Sequence, residues 1–389
     1  MKKIAVLFLL SALLPALAGC WNKYELDQFG FVMAVALDQG EDGNLDLTTL
    51  LYRPASSKGG QGGRGSEKQS SNILIKTTDD SLFEAIRDIP LKLGRKAQWG
   101  HMRAILIGEK LAMSADVGKL IDFFYRDHEP RHSTSILIAK GRADRILQNE
   151  PVIEETTGQQ LLLTSQVAHK NSAKSIETTL LDLALQLNSP QNDTFIAYIY
   201  EDPIETGMFT AAGLALLKNG KMKGIVPADK VEGLAMLRDE YKSGIVEIRC
   251  PGKPGEIETV EILSLSTKLK PKLREDKVAV QIKTEVDGGV GELKCTEIKT
   301  REDEAEFVGK LEKAIKRQMM TTIRYLQSEQ TDVIGIGNKI FRMDPDKWKT
   351  MKKTWERQFA EIPFDIQVEL KLLTSGTIIS KPAVWKETE

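Results

Sequence analysis

The sequence predicts an α+β fold, and two observations carry that prediction. Runs with strand patterning and runs with helical spacing are mixed along the chain, without the strict βαβ succession of a doubly wound sheet. Several strand runs also come in adjacent pairs joined by tight turns, which favours small, mostly antiparallel or mixed sheets packed with helices. The 389 residues exceed one average domain, and no solenoid-period repeat is present. The expected division is a leader at 1–19, an N-terminal α+β domain at 20–170, a small middle domain at 171–243 and a C-terminal α+β domain at 244–389.

The first region opens with "FGFVMAVALD" and "NLDLTTLLYR", a hairpin turning at Asp42-Gly43. The apolar run before the turn is nearly continuous, so that strand should be covered on both faces. "SNILIKTT" is a third strand. "SLFEAIRDIPLKL" places Leu82, Ile86 and Ile89 at helical spacing, with Asp79 or Asp80 as N-cap. "RAILIG" and "STSILIAKG" are strands around a helix in "SADVGKLIDFFYRD", capped by Ser114. A short helix follows near Ala143–Gln148. Ser56–Ser71 is Gly/Ser-rich without an apolar residue, which reads as a surface loop.

In the middle region "SIETTLLDLALQL" carries a helical stripe, and Asn219-Gly220 splits "FTAAGLALLKNGKMKGIV" into a tight hairpin. "ADKVEGLAMLRDEY" is a helix capped near Asp229. The last region is first strand-rich ("IVEIR", "IETVEILSLSTKLKPKL", "KVAVQIKTEV", "GELKCTEI"). A long helix follows at about Glu302–Glu329, with Leu311, Ile315, Met319, Ile323 and Leu326 facing one way. "PDKWKTMKKTWERQFA" is a second helix, leading into the strand "FDIQVELKLL".

Composition excludes some functions. Hydrophobic residues at 41% and charged residues at 28% fit a chain with real cores and exclude wholesale disorder. The net charge is −1, and −3 once Lys2 and Lys3 are removed with a leader, so the basic footprint of a nucleic-acid binder is missing.

Met1-Lys2-Lys3 and the apolar "IAVLFLLSALLPALA" form a signal-peptide pattern too short, with Pro15, for a permanent span. Leu17-Ala18-Gly19-Cys20 resembles the bacterial lipobox, in which the cysteine is lipidated and becomes the new N-terminus. The alternative is a plain secretory signal followed by a chance cysteine. Cys250 and Cys295 follow strand-like runs and, in an exported chain, either pair or stay separate thiols.

Other strings tempt and fail. His128-Glu129-Pro130-Arg131-His132 has zinc-protease spacing, but Pro130 breaks the helical turn that would align the histidines. Gly60–Gly65 matches a dinucleotide loop without the flanking strand and helix. Asp38–Gly43 begins like a calcium loop but has Gly40 at the third position and Thr49 at the twelfth. No phosphate loop and no nucleophile elbow are present, and no cofactor is expected. The dense charges Arg126, Asp127, Glu129 and Arg131 are read as an internal Arg–carboxylate network fixing a helix-to-strand turn, against ordinary exposed ion pairs.

Five segments together resemble one family: Cys20 to Leu26, "WGHMRAILIGEKLA", "IDFFYRDHEPR", "AAGLALLKNGKMKGIV" and "DVIGIGNKIFR…W". The chain is similar to the Ger(x)C lipoproteins, the C subunits of nutrient germinant receptors in endospore-forming bacteria. The family pattern R-D-x-E-x-R falls on Arg126, Asp127, Glu129 and Arg131, and Ile334 stands where the family often has an aromatic residue. The resemblance implies three α+β domains held by lipid at Cys20 on the outer face of the spore inner membrane. It implies A and B integral-membrane subunits as partners, a response to small nutrients and no enzyme activity. Two other classes stand as alternatives, a solute-binding lipoprotein of a transporter and a surface metalloenzyme using His128, Glu129 and His132.

Overall fold

The computed structural model describes residues 3–4, 24–53, 70–205, 207–274 and 277–374. Cys20, the Gly60–Gly65 string and most of the Gly/Ser-rich segment lie outside them. The chain is α+β, with two mixed sheets among the described residues.

The first sheet has nine strands. They are β1 (Phe29–Gln39), β2 (Leu45–Tyr52), β3 (Asn72–Asp79), β4 (Lys96–Gln98), β5 (Ala104–Gly108), β6 (Ser135–Ala139), β7 (Thr194–Glu201), β8 (Phe209–Lys218) and β9 (Lys221–Val226). The order is β3-β2-β1-β5-β6-β7-β8-β9, with β4 paired to the start of β1. β1, β5, β6 and β7 are parallel, and the antiparallel hairpins β2–β3 and β8–β9 close the two edges. The continuous apolar run of β1 is covered on both faces, as its sequence requires. Val35 and Leu37 join Ile105, Ile136 and Leu183 on one side, while Ala34 and Ala36 join Leu106, Leu147 and Leu161 on the other.

The strands of the middle region continue this first sheet across the expected boundary at 170/171 and build no sheet of their own. Asn219 and Gly220 have φ of 50° and 76°, the left-handed pair that a two-residue hairpin needs. Leu214, Leu216 and Val226 from the outer face of β8–β9, with Leu234 and Met236, enter the core of the second sheet. The middle region therefore bonds to one sheet through its backbone and to the other through its side chains.

The second sheet is β10 (Gly244–Arg249), β11 (Ile257–Arg274), β12 (Lys277–Glu292) and β13 (Phe364–Thr374), in that order. β13 is parallel to β12, and a 28-residue helix at Arg301–Ser328 makes the crossover. Thr300 caps it in a reciprocal box with Asp303, and it lays Phe307, Leu311, Ile315, Met319, Ile323 and Leu326 on the sheet.

Several local expectations are corrected. "SLFEAIRDIPLKL" is two helices, α1 (Leu82–Arg87) and α2 (Ile89–Leu93), because Pro90 suits only a first turn; the cap is Ser81, whose hydroxyl accepts from Glu84 N. Ser114 ends α3 (Glu109–Ser114), and Asp116 caps the next helix, α4 (Val117–Leu120). Ile121 separates α4 from α5 (Asp122–Arg126). A helix α6 spans Ala143–Gln148 as expected, and α7 (Thr157–Ser172) was not anticipated. The stripe from Ile176 yields only α8 (Leu180–Leu187), capped by Thr179. Pro227, not Asp229, precedes α9 (Ala228–Arg238). "LKCTEI" forms no strand. The long helix Arg301–Ser328 is α10, and the unanticipated α11 (Ile336–Met343) follows it. The proline-led run divides into α12 (Pro345–Met351), a single tight turn and α13 (Trp355–Glu361).

Candidate functional site

Parallel strands commonly place ligand sites beyond their carboxyl ends. Here that crevice is filled by the chain's own carboxylates. Asp38, near the end of β1, is 2% exposed and accepts from Ala143 N at 2.8 Å and Asp144 N at 2.9 Å, at the start of α6. A Cβ on Gly108 would collide with Asp38 Oδ1, so glycine is required there. Glu109 accepts from Gly141 N at 3.2 Å and from the Tyr198 hydroxyl at 3.1 Å. Arg142 closes the crevice from outside. It binds Asp144 through Nη2 at 2.6 Å and Nε at 3.0 Å, and Asp46 at 2.9 Å. Burial pushes the Asp38 carboxyl above its ordinary value, against the two backbone donors. Desolvation acts on Asp46 too, but hydrogen bonds from Lys76, Arg142 and Thr78 outweigh it and hold the group low. The first sheet thus keeps its usual ligand position for internal bonding.

Residues 127–131 form bends and a loop, so no helical face aligns His128 with His132. Both histidines are exposed, and Glu129 faces the protein. Its Oε2 accepts from Trp99 N at 3.0 Å and its Oε1 lies 3.5 Å from Lys96 Nζ. Asp127 Oδ1 accepts from Glu129 N at 3.1 Å. The arginines do not share in this. Arg126 pairs with Asp122 at 2.5 Å on the helix surface, and Arg131 is exposed without an ion pair among the described residues. The expected internal network is therefore corrected: two carboxylates and backbone N–H groups tie the turn, while Arg126 and Arg131 stay in water. Trp99 is buried beside Phe123 and Phe124, with ring centroids 6.2 and 5.9 Å away.

Asp332 organises the C-terminal motif. It is 1% exposed, and four donors converge on its carboxylate: Gly335 N at 2.9 Å, Ile336 N at 3.1 Å, Gly337 N at 2.7 Å and Trp355 Nε1 at 3.1 Å. Gly335 has φ of 85°, and a Cβ on Gly337 would stand 2.6 Å from the Trp348 ring. Both glycines are therefore structural. Asp332 N donates to Asp193 Oδ2 at 3.0 Å, and Asn338 receives Gln191 N at 2.9 Å, which joins α11 to the segment before β7. A cavity of about 460 Å³ opens beside this junction. Burial pushes Asp332 up to about 7 and Asp193 up to about 6.

Asp193 gives a pH prediction. Its folded value lies above the free value of 3.8, so the native state keeps the proton longer. The stability this contributes is present below about pH 4 and is lost as pH rises towards 6. Asp193→Asn keeps an acceptor for Asp332 N and does not titrate. Relative to wild type it should gain about 2–3 kcal/mol between pH 4 and 7, read by urea unfolding at stepped pH. A pH-independent difference would contradict this.

Cys250 and Cys295 are joined in a disulfide. Glu258, 2% exposed beside it, accepts from Lys294, Cys295 and Thr296 N at 3.1, 2.9 and 2.7 Å and from Thr296 Oγ1 at 2.7 Å. The two sulfurs and this carboxylate lie close together, but all three are already bonded, so the group does not form a metal centre. Of these features the sequence announced the cysteines, the charges from Arg126 to Arg131 and the string from Asp332 to Trp348, but not their bonding partners. Asp38 carried one weak signal, a charge closing a run that should be covered on both faces.

The fold and these tied motifs define a two-sheet α+β chain without an assembled catalytic group among its described residues. Residues 22–200 match the family described as "Spore germination protein N-terminal domain", and residues 212–376 match "Spore germination B3/ GerAC like, C-terminal". The chain belongs to this Ger(x)C family of spore germination proteins. It is 24% identical to spore germination protein KC of Bacillus subtilis (strain 168), across 96% of this chain and 95% of that one. It is also 24% identical to spore germination protein B3 of the same organism, across 97% and 98%. The identity to spore germination protein GerQC of Bacillus cereus is 22%, across 97% and 99%. The crystal structure of the GerBC protein shares the fold with a TM-score of 0.54 at 20% identity, covering 87% of this chain and 96% of that one.

Proposed function

We propose that this chain is the C subunit of a spore nutrient germinant receptor, a non-enzymatic protein held by lipid at Cys20. The observation that carries the reading is the match of both halves, in order, to spore germination families. Its partners are the A and B integral-membrane subunits, and its place is the outer face of the spore inner membrane. Three features support this. The leader ends in a small-residue run before Cys20. No described helix is long and apolar enough to cross a membrane. The disulfide suits an oxidising compartment outside the cytoplasm. The filled crevice beyond β1, β5 and β6 speaks against a solute-binding role there.

Deleting the chain should abolish germination with one class of nutrient in a panel of amino acids, sugars and nucleosides, while spores stay viable. Unchanged responses to the whole panel would sink the receptor reading. Cys20→Ala should move the protein from the salt-washed membrane fraction to the supernatant. Retention after washing would show that protein contacts, not lipid, anchor it.

A further inference from the structure

One edge of the second sheet is open. β10 ends the order β10-β11-β12-β13 and pairs with no other described strand. Its ladder with β11 runs on into the bond from Cys250 N to Glu256 O at 3.0 Å. Bonded and non-bonded pairs alternate along an antiparallel ladder, so Gly244, Val246 and Ile248 are the residues bonded to β11. The N–H and C=O groups of Ile245, Glu247 and Arg249 therefore point outward, and no described residue bonds them. Such a row is a template for another strand, and a bulge or a proline commonly blunts it. β10 has neither. A groove of about 640 Å³ lies between it and α10. Four of the eight residues lining the groove are cations, Arg249, Lys310, Lys313 and Arg317, and one is an acid, Glu247. Lys310 is paired with Glu306 at 2.8 Å. Arg249, Lys313 and Arg317 are exposed, without an ion pair among the described residues. Four cations against Glu247 and Glu306 leave a charge of +2. Glu232, behind the Gly244 end of β10, is taken by Gln318 and Tyr241. The Cys250–Cys295 disulfide ties the end of β10 to the lead of α10, so both walls are set before anything binds.

We propose that β10 receives an extended, acidic segment of a partner protein as a fifth strand of this sheet, with carboxylates against Lys313 and Arg317. Val246 and Ile248 share a core with Leu311, Ala314 and Ile315, so α10 covers the face to which they point. An added strand turns every second side chain to that face. There it meets Lys310, Lys313 and Arg317, which share one side of the helix at spacings of three and four. Its other side chains lie on the outer face beside Ile245, which is 55% exposed, and Arg249. Charge and backbone together select this occupant. A small anion would satisfy the cations but leave the carbonyls of Ile245, Glu247 and Arg249 without donors. A second copy adding its own β10 about a two-fold axis would set Lys313 and Arg317 against their equals. The inference does not rest on the receptor reading, which the germination panel tests separately.

The test uses the chain from residue 20 carrying Cys20→Ser, which retains every strand and helix of both sheets. The probe is a fluorescent heptapeptide of alternating valine and glutamate, whose binding is read by anisotropy at about 50 mM salt. Saturable binding is expected. Amide exchange should slow at Ile245, Glu247 and Arg249, whose N–H groups the peptide takes, and little at Val246 and Ile248, already bonded to β11. The same peptide with glutamine for glutamate should bind about fivefold more weakly, and Lys313→Gln with Arg317→Gln should weaken the parent peptide by a similar factor. The fully N-methylated peptide keeps its charges but cannot pair, and should not bind. Glu247→Pro removes an outward N–H and places a ring on the edge, and should weaken binding about tenfold. No saturation below about 1 mM, undiminished binding of the glutamine or N-methylated peptide, or exchange slowed away from β10 overturns the proposal; in the N-methylated case a plain anion site takes its place. Lys313 and Arg317 are exposed, so that pair of changes should leave melting unaltered. If Glu247→Pro melts early, the exchange pattern of the parent chain decides.

Discussion

Asp332→Asn should strand two buried N–H donors at a cost of about 2–4 kcal/mol near pH 4. Because burial raises the carboxyl to about 7, the variant should recover about 3–4 kcal/mol relative to wild type between pH 4 and 8, where it is spared a buried charge. All four hydrogen bonds to this side chain come from donors: the N–H groups of Gly335, Ile336 and Gly337 and the Trp355 indole. An amide has one acceptor oxygen. Whichever way the substituted amide turns, its NH₂ meets one pair of N–H donors, either Gly335 with Ile336 or Gly337 with Trp355. Those donors are buried, with Ile336 and Trp348 beside them 0% and 2% exposed. The loss should appear as a lower urea midpoint with an unchanged slope. It should be local first: amide exchange should quicken at Ile336–Ile340 and at Gln191, which is bonded to Asn338. Trp355→Phe is the comparison, since it removes one donor and strands none, and should cost about 1 kcal/mol. An Asp332→Asn variant as stable as wild type near pH 4 would mean that the carboxyl group is not what holds the start of α11.

How much of this was legible in the sequence depends on where the partners lie along the chain. Local features were readable. Asn219-Gly220 fixes its hairpin through its own φ preferences, and the parity of β12, with Val278, Val280, Ile282, Thr284 and Val286 inward, was plain. The class was readable too, because it needs only periodicities. The sheet order was not. Nothing in "TFIAYIY" says that it will lie parallel to β6 and extend the first sheet, since a strand buried on both faces has no marked side. Strand-end carboxylates were harder still. Asp38 finds its donors 105 and 106 residues away, and the sequence gives no means of pairing such groups. The charged stretch after Phe124 failed for a related reason. Charge density suggested that Arg126 and Arg131 would bind acids internally, but Asp127 and Glu129 were taken by backbone N–H groups. Buried turns have more unsatisfied N–H groups than neighbouring cations, and those donors cannot go unbonded. The lipobox resemblance is the opposite case: its pattern lies in a contiguous string, Leu17 to Cys20, and is read without a fold.

Removing the disulfide should have the other large effect. Cys250 and Cys295 are 45 residues apart, and closing a loop of that length in the unfolded chain corresponds to about 4 kcal/mol by the chain-entropy estimate. Measured effects usually fall short of that, so Cys250→Ala with Cys295→Ala should lose about 2–4 kcal/mol. Reduced wild-type protein should melt with the double variant. The consequence reaches further than one loop. Residues 293–300 carry no strand and lead straight into the Thr300 cap of α10. Two attachments hold that lead: the disulfide at Cys295 and the Glu258 carboxylate bonded to Lys294, Cys295 and Thr296. They are adjacent, so they should couple. Glu258→Gln, which keeps the shape and weakens the charge-assisted bonds, should cost more in the cysteine-free chain than in the oxidised one. Independent losses would mean that each attachment fixes its own part of the loop. Equal stability of the oxidised and reduced proteins would leave Glu258 as the sole anchor of the chain entering α10.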